Sequence, residues 1–452
     1  MSSRGFVALF AVLLAVLAIP APALAHGIGG RSDLPLELSF FLVGAGVVIV
    51  VSFVALAVLW PAPRFQDGIS PRIISIPGTG ALGPVLSGLG LAAFALVLVA
   101  GLAGRDNGSE NIVPVMVWVL VWLVVPFASL VVGNLWAHVN PWRTMTKLFR
   151  FGEDQPAAIE RLGLYPASLA FLAFVWLELI YADNGSPRAL AVAALAYSFY
   201  VFAFVSWAGP GPGLRSADFF TTYNRLLSSI APVGRDRSGA VVWRGWLRTL
   251  PVLEHVRGTT VFVLLMIGTV TFDGLSGTPW WNSTVDTLGL DPTNQLVATL
   301  GLIVVCQVIA AGYLLACAAA ARLSGGDHDM RSVARRFAHT LVPIAAAYAV
   351  AHYFTLVIFE GQLLLIHASD PLGLGWDLFG TADWVIQFWL SPTAVWYVQV
   401  AAIVIGHVAG VVLAHDRALG DFEPMVAVRS QYAMLVLMVL LTGLGLTILA
   451  VG

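Results

Sequence analysis

From Leu36 to the end of the chain, apolar residues fall in long blocks separated by short polar stretches. The blocks predict ten membrane-spanning helices, over about 36–60, 81–102, 112–137, 164–182, 188–208, 258–276, 294–321, 337–366, 394–415 and 428–450. Each is long enough, or nearly so, to cross a hydrocarbon core about 30 Å thick. The expected fold is therefore all-α, a polytopic integral membrane protein in a lipid bilayer. Ahead of the first block, Arg4, the apolar run Phe6 to Ile19 and the small residues Ala23-Leu24-Ala25 read as a secretory signal. Cleavage after Ala25 makes 1–25 the signal peptide and 26–452 a single multipass helical domain. An uncleaved signal anchor is the alternative.

Composition agrees with that reading. The chain of 452 residues is 59% hydrophobic and 11% charged, where a soluble domain carries about 25% charged residues. Its net charge is −2 and no basic tract is long, so nothing points to nucleic acid, and nothing sets an oligomeric state. Basic residues test the span count, because Lys and Arg stay on the cytoplasmic side. With the mature N-terminus outside, alternate loops hold 19 of the 23 basic residues. Arg31, Arg105 and Arg188 alone fall in the outer segments, and Arg4 leaves with the signal. The expected location is a bacterial plasma (inner) membrane.

Smaller features refine this. Cys306 and Cys317 fall in one predicted helix, about 16 Å apart, and read as small core residues rather than a pair. The cytoplasmic stretches NPWRTMTKLFRF and FFTTYNRLLSSI are amphipathic and suit helices lying in the headgroup plane. Each follows a span ending in Trp, which hints at an internal duplication within 112–258. The longest outer loop, 367–393, carries Trp376, Trp384, Phe388 and Trp389. It reads as an interfacial aromatic belt or as a lid over a binding cavity.

Ionisable residues at membrane depth are costly and usually face a protein interior or a cavity. His352 and His407 each lie roughly 20 Å from the outer ends of the eighth and ninth spans, so antiparallel neighbours would bring the two imidazoles to one level. Gly406 and Gly410 permit close helix approach, and Tyr348 lies one turn from His352 and could orient it. With Glu360, Glu178 and Asp273 these histidines outline an outward-opening polar site, with His367 at its rim. Four uses compete. The histidines could be structural. With carboxylates they could hold a divalent metal (Zn, Cu or Fe). They could clamp a haem, or line a proton or substrate path. His339 and His415, at the cytoplasmic ends beside arginines, read as headgroup contacts. HExxH, CxxC, P-loop, Rossmann and GxSxG patterns are absent.

The stretches AHGIGGRSDLP, GNLWAHVNPWR, SDPLGLGWDLFGTADW and VWYVQVAAIVIGHVAGVVLAHDRAL resemble multipass membrane proteins of actinobacteria often labelled fenitrothion hydrolase. The resemblance runs over the mature chain. It implies hydrolysis of an organophosphate ester of the phosphotriester type, a reaction that usually uses a metal-activated water. It assigns no catalytic residue. The dense histidine clusters of soluble organophosphate hydrolases are absent, so a single metal on His352, His407 and a carboxylate is the most these residues allow. The alternatives are a non-enzymatic copper, iron or haem protein serving an outer-surface partner, and a transporter. In each the ligand, metal or small molecule, arrives from the outer side. A trimmed N-terminus would also leave His26 as residue one, able to bind copper through its amine and ring, with His367 the outer histidine left to complete such a site.

Overall fold

The computed structural model describes residues 35–66, 72–73, 79–236, 240–325 and 329–451. The signal segment and His26 lie outside the described residues. Among those described, nine helices are long and apolar enough to cross a membrane, and a tenth apolar helix is shorter. We label the ten α1 (Leu38–Leu59), α2 (Thr79–Ala103), α3 (Val113–Val132), α4 (Tyr165–Leu179), α5 (Pro187–Ala208), α6 (Thr259–Ser276), α7 (Gln295–Leu323), α8 (Val342–Ile358), α9 (Pro392–Asp421) and α10 (Tyr432–Val451). Every apolar block of the sequence thus has its helix. The short one is α4, whose 15 residues reach only about 22 Å.

The chain divides into two compact units, with the divisions inside α6 and α8. The first contains α1, α7, α9 and α10, together with α6 from Val263 and α8 to His352. Here α10 packs against α1, α7 and α9, and α1 packs against α9. Cys306 and Cys317 are buried, unpaired core residues of α7, as expected.

Glycine sets the register between α8 and α9. A Cβ on Gly406 would come 2.2 Å from Ala347 Cβ and 2.8 Å from the Pro343 carbonyl, and one on Gly410 would come 3.0 Å from the Thr340 carbonyl. Only a bare backbone permits that approach. Gly406→Leu should force the helices apart and lower stability by about 1–3 kcal/mol, read as a fall in thermal unfolding midpoint in detergent.

Asp416 ties the chain beyond α1 to α9. Its buried carboxylate accepts from the backbone N–H of Arg64 (2.5 Å) and Phe65 (3.2 Å) and from Trp60 Nε1 (3.3 Å). His415 beside it is also buried. Its Nε2 donates to the Trp60 carbonyl at 3.1 Å, and its Nδ1 accepts from Gln431 Nε2 at 3.2 Å. This corrects the headgroup reading for His415, and His339 is buried as well. Both face protein because the helix ends that carry them are packed over. Asp416→Ala strips three donors of their acceptor at about 1–3 kcal/mol, so limited proteolysis should cut at 60–66 faster than in the parent.

The second unit contains α2 to α5, the start of α6 and the segments 209–262 and 353–389. The interior of α3 runs as a π-helix over Met116–Val124. The described residues of 209–257 include helices Pro210–Ala217 and Phe219–Ser228 and two short strands. The three strands, β1 (Arg72–Ile73), β2 (Val233–Arg235) and β3 (Val241–Trp243), form an antiparallel sheet in the order β1-β3-β2. Helix Phe219–Ser228 departs from the headgroup-plane expectation. Phe219, Phe220, Tyr223, Leu226 and Leu227 are buried, and so are Thr222, Asn224 and Ser228. Its polar residues satisfy partners inside the unit, as where Asn224 Oδ1 accepts from Ser129 Oγ at 3.1 Å.

Asp218, the N-cap of that helix, sits at the centre of a polar knot. It is fully buried. Oδ1 accepts from Tyr197 OH (2.8 Å) and the Phe220 N–H (3.1 Å). Oδ2 accepts from Thr221 Oγ1 (2.6 Å), Asn140 Nδ2 (2.7 Å) and Trp136 Nε1 (3.1 Å). Burial pushes this carboxyl above its ordinary range, and the side-chain donors pull against that shift. Asn140 is itself the N-cap of helix Pro141–Leu148, where its Oδ1 accepts from the Arg143 N–H. Two helix starts are thus fastened to each other through their capping side chains.

Candidate functional site

Of the five residues expected to form an intramembrane site, the structure brings two into contact. Asp273, in the last turn of α6, and His352, on α8, meet at 2.9 Å between Oδ2 and Nε2. Their side chains are 18% and 24% exposed, half-sheltered by apolar helices. Asp273 thereby fixes the imidazole orientation, and the pair can hold a proton in two ways: as carboxylate with imidazolium, or as carboxylate accepting from neutral Nε2–H. Such a pair is expensive in hydrocarbon unless both members are matched.

A small cavity of about 20 Å³, room for about one water molecule, lies beside His352, walled in part by Thr271, Tyr348, Ala351, Ile403 and Gly445. Gly274 helps keep the space clear: a Cβ there would strike Ile448 Cγ2 at 2.4 Å and sit 3.5 Å from His352 Nδ1. Both hydroxyls of the wall are committed to backbone carbonyls. Thr271 donates to Ile267 O at 2.8 Å, and Tyr348 donates to Leu441 O. Tyr348 is therefore not the residue that orients His352. Its ring packs against His407 instead, with centroids 5.6 Å apart.

His407 does not share the level of His352. Gln399 Nε2 donates to the Ala351 carbonyl at 2.9 Å, which places the His352 end of α8 beside Gln399. His407 lies eight residues farther along α9, ~12 Å at 1.5 Å per residue. The expected alignment counted from the apolar ends, whereas Gly406 and Gly410 against Pro343 and Thr340 decide the register. His407 is fully buried. Its Nδ1 lies 2.9 Å from Ile403 O, a carbonyl that can only accept, so Nδ1 carries the hydrogen. Nε2 is then an acceptor with no hydrogen-bond partner among the described residues. Gln399 Oε1 and Trp396 Nε1, also buried and on α9, share that condition. Buried polar atoms of this kind are commonly satisfied by internal water.

The remaining candidates belong to the second unit. Glu178 on α4 accepts from Trp122 Nε1 at 2.9 Å, inside the π-helical stretch. Glu360 is exposed at the start of a 3₁₀ turn, Glu360–Gln362, which ends the expected eighth span at Ile358 rather than Ile366. His367 is half-buried in the short helix Leu363–Ala368. Burial lowers its ring below the ordinary imidazole range, against the opposing charge of Asp370. The loop after it is ordered by Asp370, whose carboxylate accepts from the N–H groups of Leu374 and Gly375, and by Ser369 with Thr381. Its Trp376, Phe379, Trp384, Phe388 and Trp389 are exposed.

Among the described residues, no three His, Cys, Asp or Glu side chains stand together to hold a metal ion. Asp273 and His352 supply two donors, and the second imidazole, the obvious third, is a helical turn or more away along α9. The donor set implied for a metal-dependent hydrolase does not fit these residues. Comparison with known proteins finds no matching family model, no similar curated protein and no similar solved structure. The chemistry of this site therefore rests on its own geometry.

Sequence reasoning named both Asp273 and His352, which the structure brings into contact, but missed Asp218. Its signal was available as an Asp immediately before the apolar pair Phe219-Phe220, a helix-start pattern.

Proposed function

We propose that this membrane protein moves protons, alone or with a small solute, across a bacterial plasma membrane, and that Asp273 and His352 form its proton-exchanging pair. The observation that carries the reading is the 2.9 Å contact between a carboxylate and an imidazole on two apolar helices. Ionisable pairs at such positions mark proton and ion pathways, because nothing else offsets their desolvation. His352 accepts the proton, and the Asp273 carboxylate stabilises the imidazolium that forms. Release to the other side restores the neutral ring. The alternation of basic residues supports a mature N-terminus on the outer face.

Hydrolysis of a phosphotriester, the activity the resemblance implies, would ask for a metal to activate water. The residues give that step no third ligand, and the pair is the stronger support for proton exchange. Reconstitution into vesicles holding a pH-sensitive dye tests the reading. Proton entry above that of protein-free vesicles is expected, and equal entry would remove it.

A further inference from the structure

Arg225, on helix Phe219–Ser228, is a guanidinium with no ion pair of its own among the described residues. It makes no side-chain hydrogen bond among them either, and its Nη2 is shut away from solvent with no partner there. A second arginine, Arg215 on helix Pro210–Ala217, acts on it electrostatically, as does Glu254. Glu254, the carboxylate that acts on Arg225, is already engaged: its Oε2 accepts from Arg215 Nη2 at 2.5 Å. Arg215 Nε is likewise sealed off from solvent and has no hydrogen-bond partner among the described residues. Two cations thus share one anion, and the more deeply placed cation has no hydrogen bond to it.

Energetics makes that arrangement incomplete. Desolvating a charge costs several kcal/mol unless an opposite charge and hydrogen bonds replace its water. Burial, followed by repulsion from Arg215, pushes the Arg225 guanidinium down to about 10, with Glu254 opposing. A second anion would relieve both effects. Guanidinium groups match phosphate with paired, parallel N–H···O bonds, and basic pockets on the cytoplasmic side of membrane proteins hold phosphate headgroups.

We propose that Arg215 and Arg225 form a binding site for a phosphate-bearing anion. Arg225 supplies the main contact, and Glu254 competes with the ligand for Arg215. The two sources of that chemistry are an anionic phospholipid headgroup and free phosphate. The site is independent of the proton-exchanging pair.

Native mass spectrometry of the full chain, purified in detergent and stripped of lipid, tests this with three probes. These are phosphatidylglycerol, phosphatidylcholine and inorganic phosphate. Phosphatidylglycerol should bind at least tenfold tighter than phosphatidylcholine. Competition by inorganic phosphate at similar concentration would identify free phosphate as the source, and its failure to compete would identify the headgroup. Arg225→Gln should weaken binding about tenfold. Glu254→Gln, which removes the competitor and leaves both arginines in the chain, should tighten it severalfold and covers the case in which Arg225→Gln fails to fold. Equal binding of the two lipids with no uptake of phosphate would overturn the proposal. So would Glu254→Gln binding no tighter than the parent.

Discussion

Asp273→Asn should reduce proton entry into reconstituted vesicles by tenfold or more while leaving the protein folded. The substitution keeps the shape and an oxygen that can accept from His352 Nε2, 2.9 Å away in the parent. What it removes is the negative charge that stabilises the imidazolium. Tenfold corresponds to 1.4 kcal/mol of transition-state free energy. That is a modest demand on a close ion pair in a sheltered site, where the effective interaction exceeds that in bulk water severalfold. His352→Gln should lose at least as much, since the amide cannot carry a proton between the two sides. A thermal melt separates the two effects. If Asp273→Asn melts like the parent and still conducts like the parent, the carboxylate has no part in proton exchange.

The largest loss of stability is expected from Asp218→Ala. That carboxylate is fully buried and accepts five hydrogen bonds, four of them from the side chains of Trp136, Asn140, Tyr197 and Thr221. Truncation leaves all of these donors without their acceptor in a site closed to water. Breaking a buried charged network in this way costs roughly 3–5 kcal/mol. Asp218→Asn should not restore the parent. Oδ2 receives three side-chain donors, and an amide placed with its nitrogen there would set N–H against N–H. The measurement is unfolding in detergent followed by tryptophan fluorescence, to which Trp136 and its neighbour Trp142, 6.0 Å away between ring centroids, contribute among the 15 tryptophans. An unfolding midpoint unchanged in Asp218→Ala would show that the knot contributes nothing to the second unit.

Much of the architecture was legible because lipid imposes a simple rule. A run of some twenty apolar residues has few alternatives to a helix that satisfies its own backbone. The ten blocks became ten helices on that ground. The three strands were not legible, since segments of two or three residues carry no alternating pattern to detect. The site was legible in part. Asp273 and His352 stood out as charges in apolar runs, but the partner of His352 could not be told from the three other candidates, His407, Glu360 and Glu178. Counting inward from span ends put His407 at the level of His352, and a close approach at Gly406 moved it by about two turns. Amphipathic spacing suggested a surface position for helix Phe219–Ser228, whereas its polar residues turn inward to Asp218, Ser129 and Arg215. Hydropathy cannot distinguish a polar face that meets water from one that meets other buried polar groups.

The central claim is that the protein itself carries protons, without a metal. Proton entry driven by a potassium diffusion potential, read by a trapped dye before and after treatment with a strong chelator, tests it most directly. The expected result is entry well above that of protein-free vesicles and unchanged by the chelator. Entry no faster than in protein-free vesicles, or entry abolished by chelation and restored by a divalent metal, would contradict the account.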